Sequence, residues 1–361
     1  MIQLNGSYEE GGGALVRTAL ALSALTGKEF KVTNIRSNRP EPGLKAQHLT
    51  AITALKEICQ AETNEIKLGS TELYFKPGKV KKGIYEIDIG TAGSITLLLQ
   101  ALILPCLFAP GKITLNITGG TCGKWQASVD YLQNIVLPQL HRFVEKIDLK
   151  ILKRGYYPKG GGQVKLEITP KLKIEDFKSG WKELQSKTAK ILLTEPGSLE
   201  QLKGVINVSS ELQGKEVAER IKKSAEGNLK EYSAPTNIRI EYVNSLSPGG
   251  EILLWGIFSQ AGKVDFDNPV FLAGDALVEK NKSSEQLGKE AAEKLKQQIN
   301  SRAAVDEHLA DQLIQFMSLL PGSKIKCGKI SKHAHTNIYV VEKFLPVKFK
   351  VEENIISVEE A

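Results

Sequence analysis

One signature recurs three times along this chain: an apolar helical stretch, a glycine-containing stop, then a short alternating strand. Ala14 to Thr26 leads through Gly27-Lys28 into Phe30 to Ile35, and Ile95 to Ala109 leads through Pro110-Gly111-Lys112 into Ile113 to Ile117. The third copy runs from Leu309 to Leu320 through Pro321-Gly322-Ser323-Lys324 into Ile325 to Cys327. Helical leucine spacing, a glycine that halts the helix and period-2 alternation after it support each assignment. Gly27 and Gly111 lie 84 residues apart and Gly111 and Gly322 lie 211 apart, an excess of about 127 residues, the size of one extra domain. The spacing predicts three related α/β units with a separate domain inserted into the third. Repeats of about 80 residues are too long for a solenoid and fit a triplicated domain.

On this reading residues 1–181 and 301–361 form the large domain and 182–300 the insert, with a junction at Trp181. Paired strands are expected to close the units: Leu73 to Phe75 with Ile84 to Asp88, Gly155 to Tyr157 with Val164 to Ile168, and Val347 to Val351 with Ile355 to Val358. In the insert, Lys190 to Thr194, Gly204 to Val208, Ile238 to Tyr242 and Ile252 to Phe258 read as strands. Lys215 to Ala225 and Ser284 to Ile299 read as surface helices. Alternating elements of this kind point to a sheet covered by helices.

Two helix starts are rich in glycine. Tyr8-Glu-Glu-Gly-Gly-Gly-Ala-Leu-Val-Arg17 opens the first helix, and Gly90-Thr-Ala-Gly-Ser94 opens the second. Bare backbone N–H groups at a helix start approach an anion closely, and the helix dipole favours negative charge there. Glycine also turns a chain or lets a helix pack on a sheet, and neither run has P-loop or strict GxGxxG spacing. The chain carries 48 Lys+Arg against 41 Asp+Glu, a net charge of +7, which leans towards polyanion partners. Its four cysteines form no CxxC pair, so neither a zinc knuckle nor a disulfide scaffold is indicated. The apolar stretch from Ile95 to Ala109 is shorter than the run of about 18 that spans a bilayer. The opening Met-Ile-Gln-Leu is strand-like rather than a signal peptide, so the expected location is cytoplasmic.

Several side chains are chemical candidates. His333 and His335 stand in Ser331-Lys-His-Ala-His-Thr-Asn-Ile338; on an extended strand both imidazoles share a face. A metal pair, a nucleophile with a helper and a polar edge strand all fit that arrangement. Asp306 and Glu307 sit where a helix start needs acids, whereas Asp311 and Gln312 lie deeper and could meet a purine or a ribose. Arg36, Arg39, Lys45 and Gln47 follow the first alternating strand in a loop with two prolines and a glycine. Arginine's fork suits phosphate oxygens, and a solvated basic loop is the alternative. Arg154-Gly-Tyr-Tyr-Pro-Lys-Gly-Gly-Gly162 combines charge and aromatic rings, which can hold a nucleic-acid end or make an ordinary aromatic hairpin.

Six segments together resemble the RNA 3'-terminal phosphate cyclase family, in order and across nearly the whole length. They are Glu9 to Arg17, Ile35 to Leu49, Ile89 to Ser94, Gly155 to Gly162, His308 to Gln312 and His333 to Ile338. The resemblance implies a triplicated βαβαββ-type large domain with a smaller thioredoxin-like α/β insert. It also implies ATP-dependent conversion of an RNA 3'-phosphate to a 2',3'-cyclic phosphodiester, with release of AMP and pyrophosphate. His333, three residues before Thr336, matches the family's nucleophile, while His335 falls on a variable position. Glu10 matches a position near the nucleotide phosphates and a Mg²⁺ or Mn²⁺ ion. Gln100 and the segment His308, Leu309, Ala310, Asp311 and Gln312 match nucleotide-binding positions. Arg17, Arg36, Arg39 and Gln47 are the candidates for the RNA terminal phosphate and the polyphosphate. The implied partner is RNA ending in a 3'-phosphate, with no membrane and no obligate protein partner.

The chain departs from that pattern in two places. His308 stands where some relatives carry Tyr, which alters the purine-stacking surface but keeps it planar. Cys122, Ala127 and Ser128 replace the Asp and paired prolines that often follow Gly119-Gly-Thr121, which bears on adenine packing. Two other readings share the architecture: a non-catalytic cyclase-like RNA-binding protein of ribosome biogenesis, and an enolpyruvyl-type transferase. The latter expects six repeated units, and this chain supplies three.

Overall fold

The computed structural model describes residues 1–173 and 182–361; the expected junction at Trp181 lies outside them. In the first unit, β1 (Ile2–Asn5), α1 (Ala14–Thr26), β2 (Phe30–Thr33), α2 (Ala46–Cys59), β3 (Glu62–Thr63) and β4 (Leu73–Lys76) build a sheet ordered β1-β2-β4-β3. The second unit repeats the plan. It contains β5 (Gly83–Asp88), α3 (Ile95–Cys106), β6 (Ile113–Gly119), short helices α4 (Val129–Tyr131) and α5 (Leu137–Leu140), β7 (Val144–Lys153) and β8 (Gly162–Pro170), ordered β5-β6-β8-β7.

After α6 (Lys182–Lys187), the third unit begins with β9 (Leu192–Leu193) and is then interrupted. The interruption holds β10 (Ser198–Ser209), α7 (Val217–Leu229), β11 (Thr236–Val243), β12 (Gly250–Ser259), β13 (Phe271–Leu277) and α8 (Ser284–Asn300), with sheet order β11-β10-β12-β13. The unit resumes with α9 (Glu307–Met317), β14 (Lys324–Lys326), α10 (Lys332–Phe344), β15 (Val347–Glu352) and β16 (Ile355–Glu360). Read from β9, its order is β9-β14-β16-β15, the same as the other two. In all three, the first two strands are parallel and are linked by a crossover that includes a helix, which in the third unit also carries the interruption. The α/β expectation therefore holds, with three like-ordered sheets and a fourth set between β9 and α9.

Three pairings differ from the sequence reading. Leu73 to Phe75 and Ile84 to Asp88 make no hairpin: β4 pairs with β2 and β3, whereas β5 pairs with β6 as the first strand of the next unit. The partner of β8 is β7, not Gly155 to Tyr157, because Val144 to Lys153 carries the buried-exposed alternation that a half-covered strand needs. The segment Lys190 to Thr194 contributes β9, which pairs with β14 rather than with the interrupting sheet. The hairpin of β15 with β16 forms as expected.

The helices form the interior layer over these sheets. Every residue of α1 except Thr26 is buried, which an Ala- and Leu-rich helix without a polar face tolerates. It ends at Gly27, whose φ of 72° lets its N–H return to the Ser23 carbonyl. Helix α1 packs against α3 and α10, and α9 packs against both α3 and α10. The N-terminal ends of these helices carry the candidate residues. Among the described residues, no helix is long and apolar enough to cross a membrane.

Candidate active site

The segment Ser331 to Ile338 is the start of α10, not a strand. Ser331 caps it by accepting the Ala334 N–H at 3.1 Å, and burial then follows Ala334, Asn337, Val340, Val341 and Phe344. A helix turns about 100° per residue, so His333 and His335 point to different sides. The shared-face metal pair is thereby excluded, and no group of three or more His, Cys, Asp or Glu residues among the described residues is placed to hold a metal ion.

His333 instead meets the first glycine-rich loop. Its Nδ1 lies 2.9 Å from Glu10 Oε1, and the side chain remains 41% exposed. Arg39 Nη2 approaches the same carboxylate oxygen at 3.0 Å. Burial pushes the Glu10 carboxyl up, but His333 and Arg39 outweigh that and hold it below its ordinary value. The loop is fastened to α10 by Tyr8 stacked on Tyr339, with centroids 4.1 Å apart and planes 12° from parallel. Below it, Thr18 Oγ1 donates to Asn337 Oδ1 at 2.8 Å, and Asn337 Nδ2 donates to the Asp311 carbonyl at 2.8 Å. One amide thus ties α1, α10 and α9 together.

Arg17, buried one turn inside α1, donates from Nε to Gln100 Oε1 on α3 at 2.8 Å. Burial lowers its pKa to about 10, against the pull of Asp311 and Glu10, so it stays cationic at neutral pH. Burial raises Asp311 to about 6, partly offset by His333, His308 and Arg17. The six candidates Glu10, Arg17, Arg39, Gln100, Asp311 and His333 therefore form one electrostatically connected group.

The remaining candidates have varied placements. Gln47 is in the first turn of α2, where its Oε1 lies 3.7 Å from where a Cβ on Gly93 would be, so the start of α2 adjoins the second glycine-rich loop. Arg36 Nη1 donates to the carbonyls of Glu41 and Gly43, fastening its own loop. Asp306 is the N-cap of α9, accepting from the N–H groups of His308 and Leu309 and from Tyr131 Oη, the capping role expected of it. The His308 ring meets Tyr131 edge to face at 6.2 Å. Leu309 and Ala310 are buried in the core. Gln312 lines a narrow cleft with Thr96, Gln100, Leu132, Gln315 and Phe316. Three amides stand among largely apolar walls, and the cleft has a volume of only about 10 Å³, far below what a heterocycle fills.

Residues that the sequence reading passed over also shape the site. His48 sits under the first glycine-rich loop, and Asn337 and Thr18 brace α10. Their signal is weak: a buried helical polar residue resembles any core position until its partner is known.

Comparison with known proteins points the same way. The family model described as RNA 3'-terminal phosphate cyclase matches residues 8–351. The chain is 40% identical over 355 residues to an RNA 3'-terminal phosphate cyclase of Pyrococcus furiosus, covering 98% of this chain and 96% of that one. It is 39% identical over 358 residues to the protein of that name from Methanopyrus kandleri, covering 97% and 95%. With the one from Methanosarcina mazei it shares 41% identity over 358 residues, covering 98% and 97%.

Proposed function

The chain belongs to the RNA 3'-terminal phosphate cyclase family, and we propose that it converts an RNA 3'-phosphate to a 2',3'-cyclic phosphodiester, coupled to cleavage of ATP to AMP and pyrophosphate. The observation that carries this reading is the half-exposed His333 ring with Nδ1 2.9 Å from the Glu10 carboxylate. A carboxylate only accepts, so the imidazole proton belongs on Nδ1 and the lone pair on Nε2 faces outward as a nucleophile.

His333 Nε2 attacks the α-phosphorus of ATP, forming a phosphorus–nitrogen bond as the bond to pyrophosphate breaks. Glu10 steadies the positive charge that the ring gains. An oxygen of the RNA 3'-phosphate then displaces the imidazole to give an RNA(3')pp(5')A end. The neighbouring ribose 2'-OH, losing its proton, attacks the activated phosphate and expels AMP. Each transfer needs mainly alignment and neutralised charge, for which Arg17 and Arg39 stand within the same group as His333.

A divalent ion fits the Glu10 carboxylate, a hard oxygen donor held between His333 and Arg39. Mg²⁺ and Mn²⁺ commonly take one carboxylate and complete their shells with phosphate oxygens and water. When bound there, the ion would neutralise phosphate charge.

The test is to incubate the protein with ATP, Mg²⁺ or Mn²⁺ and an oligoribonucleotide bearing a 3'-phosphate. A cyclic-phosphate end is expected, and a terminal 2'-deoxyribose should halt the reaction at the RNA(3')pp(5')A stage. RNA binding with no ATP turnover would contradict the proposal and favour the non-catalytic reading.

A further inference from the structure

Trp125 takes no part in the chemistry described so far, yet its placement is unusual. It is 96% exposed, and its backbone sits at φ 61°, a left-handed conformation that a bulky residue rarely adopts. Burial of the ring offsets none of that strain. The loop around it is nonetheless fixed on both sides. The Thr121 carbonyl accepts the Val129 N–H at 2.9 Å and closes the base. Lys124 pairs with Glu279 of the insert at 3.0 Å, and Thr96 Oγ1 donates to the Ala127 carbonyl at 2.6 Å. Thr96 stands one turn before Gln100 on α3, about 6 Å along the axis, and Gln100 accepts from Arg17. The loop is therefore anchored one helical turn from the charged group that includes His333.

A second exposed ring stands on the neighbouring loop. The Thr121 N–H donates to the Gly155 carbonyl at 2.9 Å, and the Gly155 N–H donates to Thr121 Oγ1 at 3.2 Å. Two residues further on, Tyr157 is 80% exposed. This loop lies across the second glycine-rich helix start, where a Cβ on Gly160 would be 2.7 Å from the Thr91 carbonyl oxygen. Lys159 is exposed as well, and its N–H is fixed on Ser247 Oγ at 3.2 Å. A single ring on a surface needs no explanation. Two rings on loops bonded to each other, with a cation beside them, are the parts that hold single-stranded nucleic acid: bases stack on the aromatic faces and cations meet the backbone.

We propose that Trp125 and Tyr157 form a stacking platform for the bases that precede the RNA 3' end, with Lys159 meeting a backbone phosphate. The inference rests on the cyclase reading, which supplies the RNA and brings its terminal phosphate to His333. Every base has a face to stack, so the platform holds the strand without selecting its sequence. An anchored loop presents its ring at little ordering cost.

The test is equilibrium binding to the full-length protein of a 3'-phosphate oligoribonucleotide, and of the same strand with abasic sugars at the two positions before its terminal nucleotide. Trp125→Ala and Tyr157→Ala are each expected to weaken the intact strand about tenfold, whereas Trp125→Phe, which keeps a stacking face, should recover most of the loss. The abasic strand should bind the wild type with a similar deficit and lose little more in the alanine variants. Alanine variants that bind the intact strand as the wild type does, or that lose as much on the abasic strand as on the intact one, overturn the platform and leave the cyclase reading standing. An equal loss of ATP affinity in Trp125→Ala would assign the ring to the adenine of ATP and overturn the proposal too. A wild type that binds the RNA but forms no cyclic end contradicts the cyclase reading instead, and the abasic comparison still decides the platform.

Discussion

Arg17 and His48 share one interior, and burial affects them differently. The guanidinium, lowered to about 10, keeps its charge at neutral pH, whereas the imidazole, lowered to about 3, gives its up. The sign of the pH effect follows from the imidazole. As pH falls through 6.5 the unfolded chain takes up a proton at His48, and the native state does not until about 3. Folding stability therefore falls with acidification across that window, by about 2 kcal/mol at pH 5 from this group. Asp311, raised to about 6, acts in the opposite sense between its ordinary range and that value. Removing His48 isolates its share. Urea unfolding of His48→Leu should show less loss between pH 7 and pH 5 than the wild type; parallel pH profiles would contradict the assignment.

Helix α10 shows how a clear pattern can mislead. Its first residues alternate in polarity, and a strand reading of His333 and His335 follows from that alternation alone. The helical stripe was present but disguised, because Asn337 and Thr336 occupy buried positions where apolar residues would have announced period 3.6. Asn337 is polar because it bridges two other helices, a partnership invisible before the fold is known. Helix α2 stayed hidden for a related reason, since it begins inside the Arg- and Pro-rich loop. By contrast α1 was legible at both ends and α3 at its start, because a glycine stop after α1 and the serine cap of α3 act locally, whereas α3 ends at Cys106, three residues before the expected Ala109. The bridge itself can be tested. Asn337→Ala leaves Thr18 Oγ1 and the Asp311 carbonyl without their partner and should cost about 2–4 kcal/mol. Urea unfolding measures it, and an unchanged midpoint would show that the bridge contributes nothing.

The repeat spacing made the three-unit plan readable before any coordinate, because each unit reuses one strand order. What spacing could not reveal is how the interrupting sheet is held. Arg154, which the sequence left between nucleic-acid contact and hairpin, is buried and pairs through both Nη atoms with Asp130 and at 2.7 Å with Glu241 on β11. Tyr156 Oη donates to Asn207 on β10 at 2.7 Å. Asn207 in turn donates to Glu251 on β12 at 3.2 Å, and burial beside Asp130 keeps the Glu251 carboxyl well above its ordinary pKa. Arg154→Met would strand Asp130 as an unpaired buried charge, and should lower stability by about 3–5 kcal/mol in denaturant unfolding. A neutral result would place the grip on the insert elsewhere.

The account depends most on His333 becoming covalently adenylylated. The direct measurement is to incubate the protein with ATP labelled at the α-phosphate and a divalent metal, then locate the label by peptide mapping. Acid-labile label on the peptide containing His333, absent from His333→Ala, is the predicted result. Equal labelling of the alanine variant, or no labelling of the wild type, would contradict it.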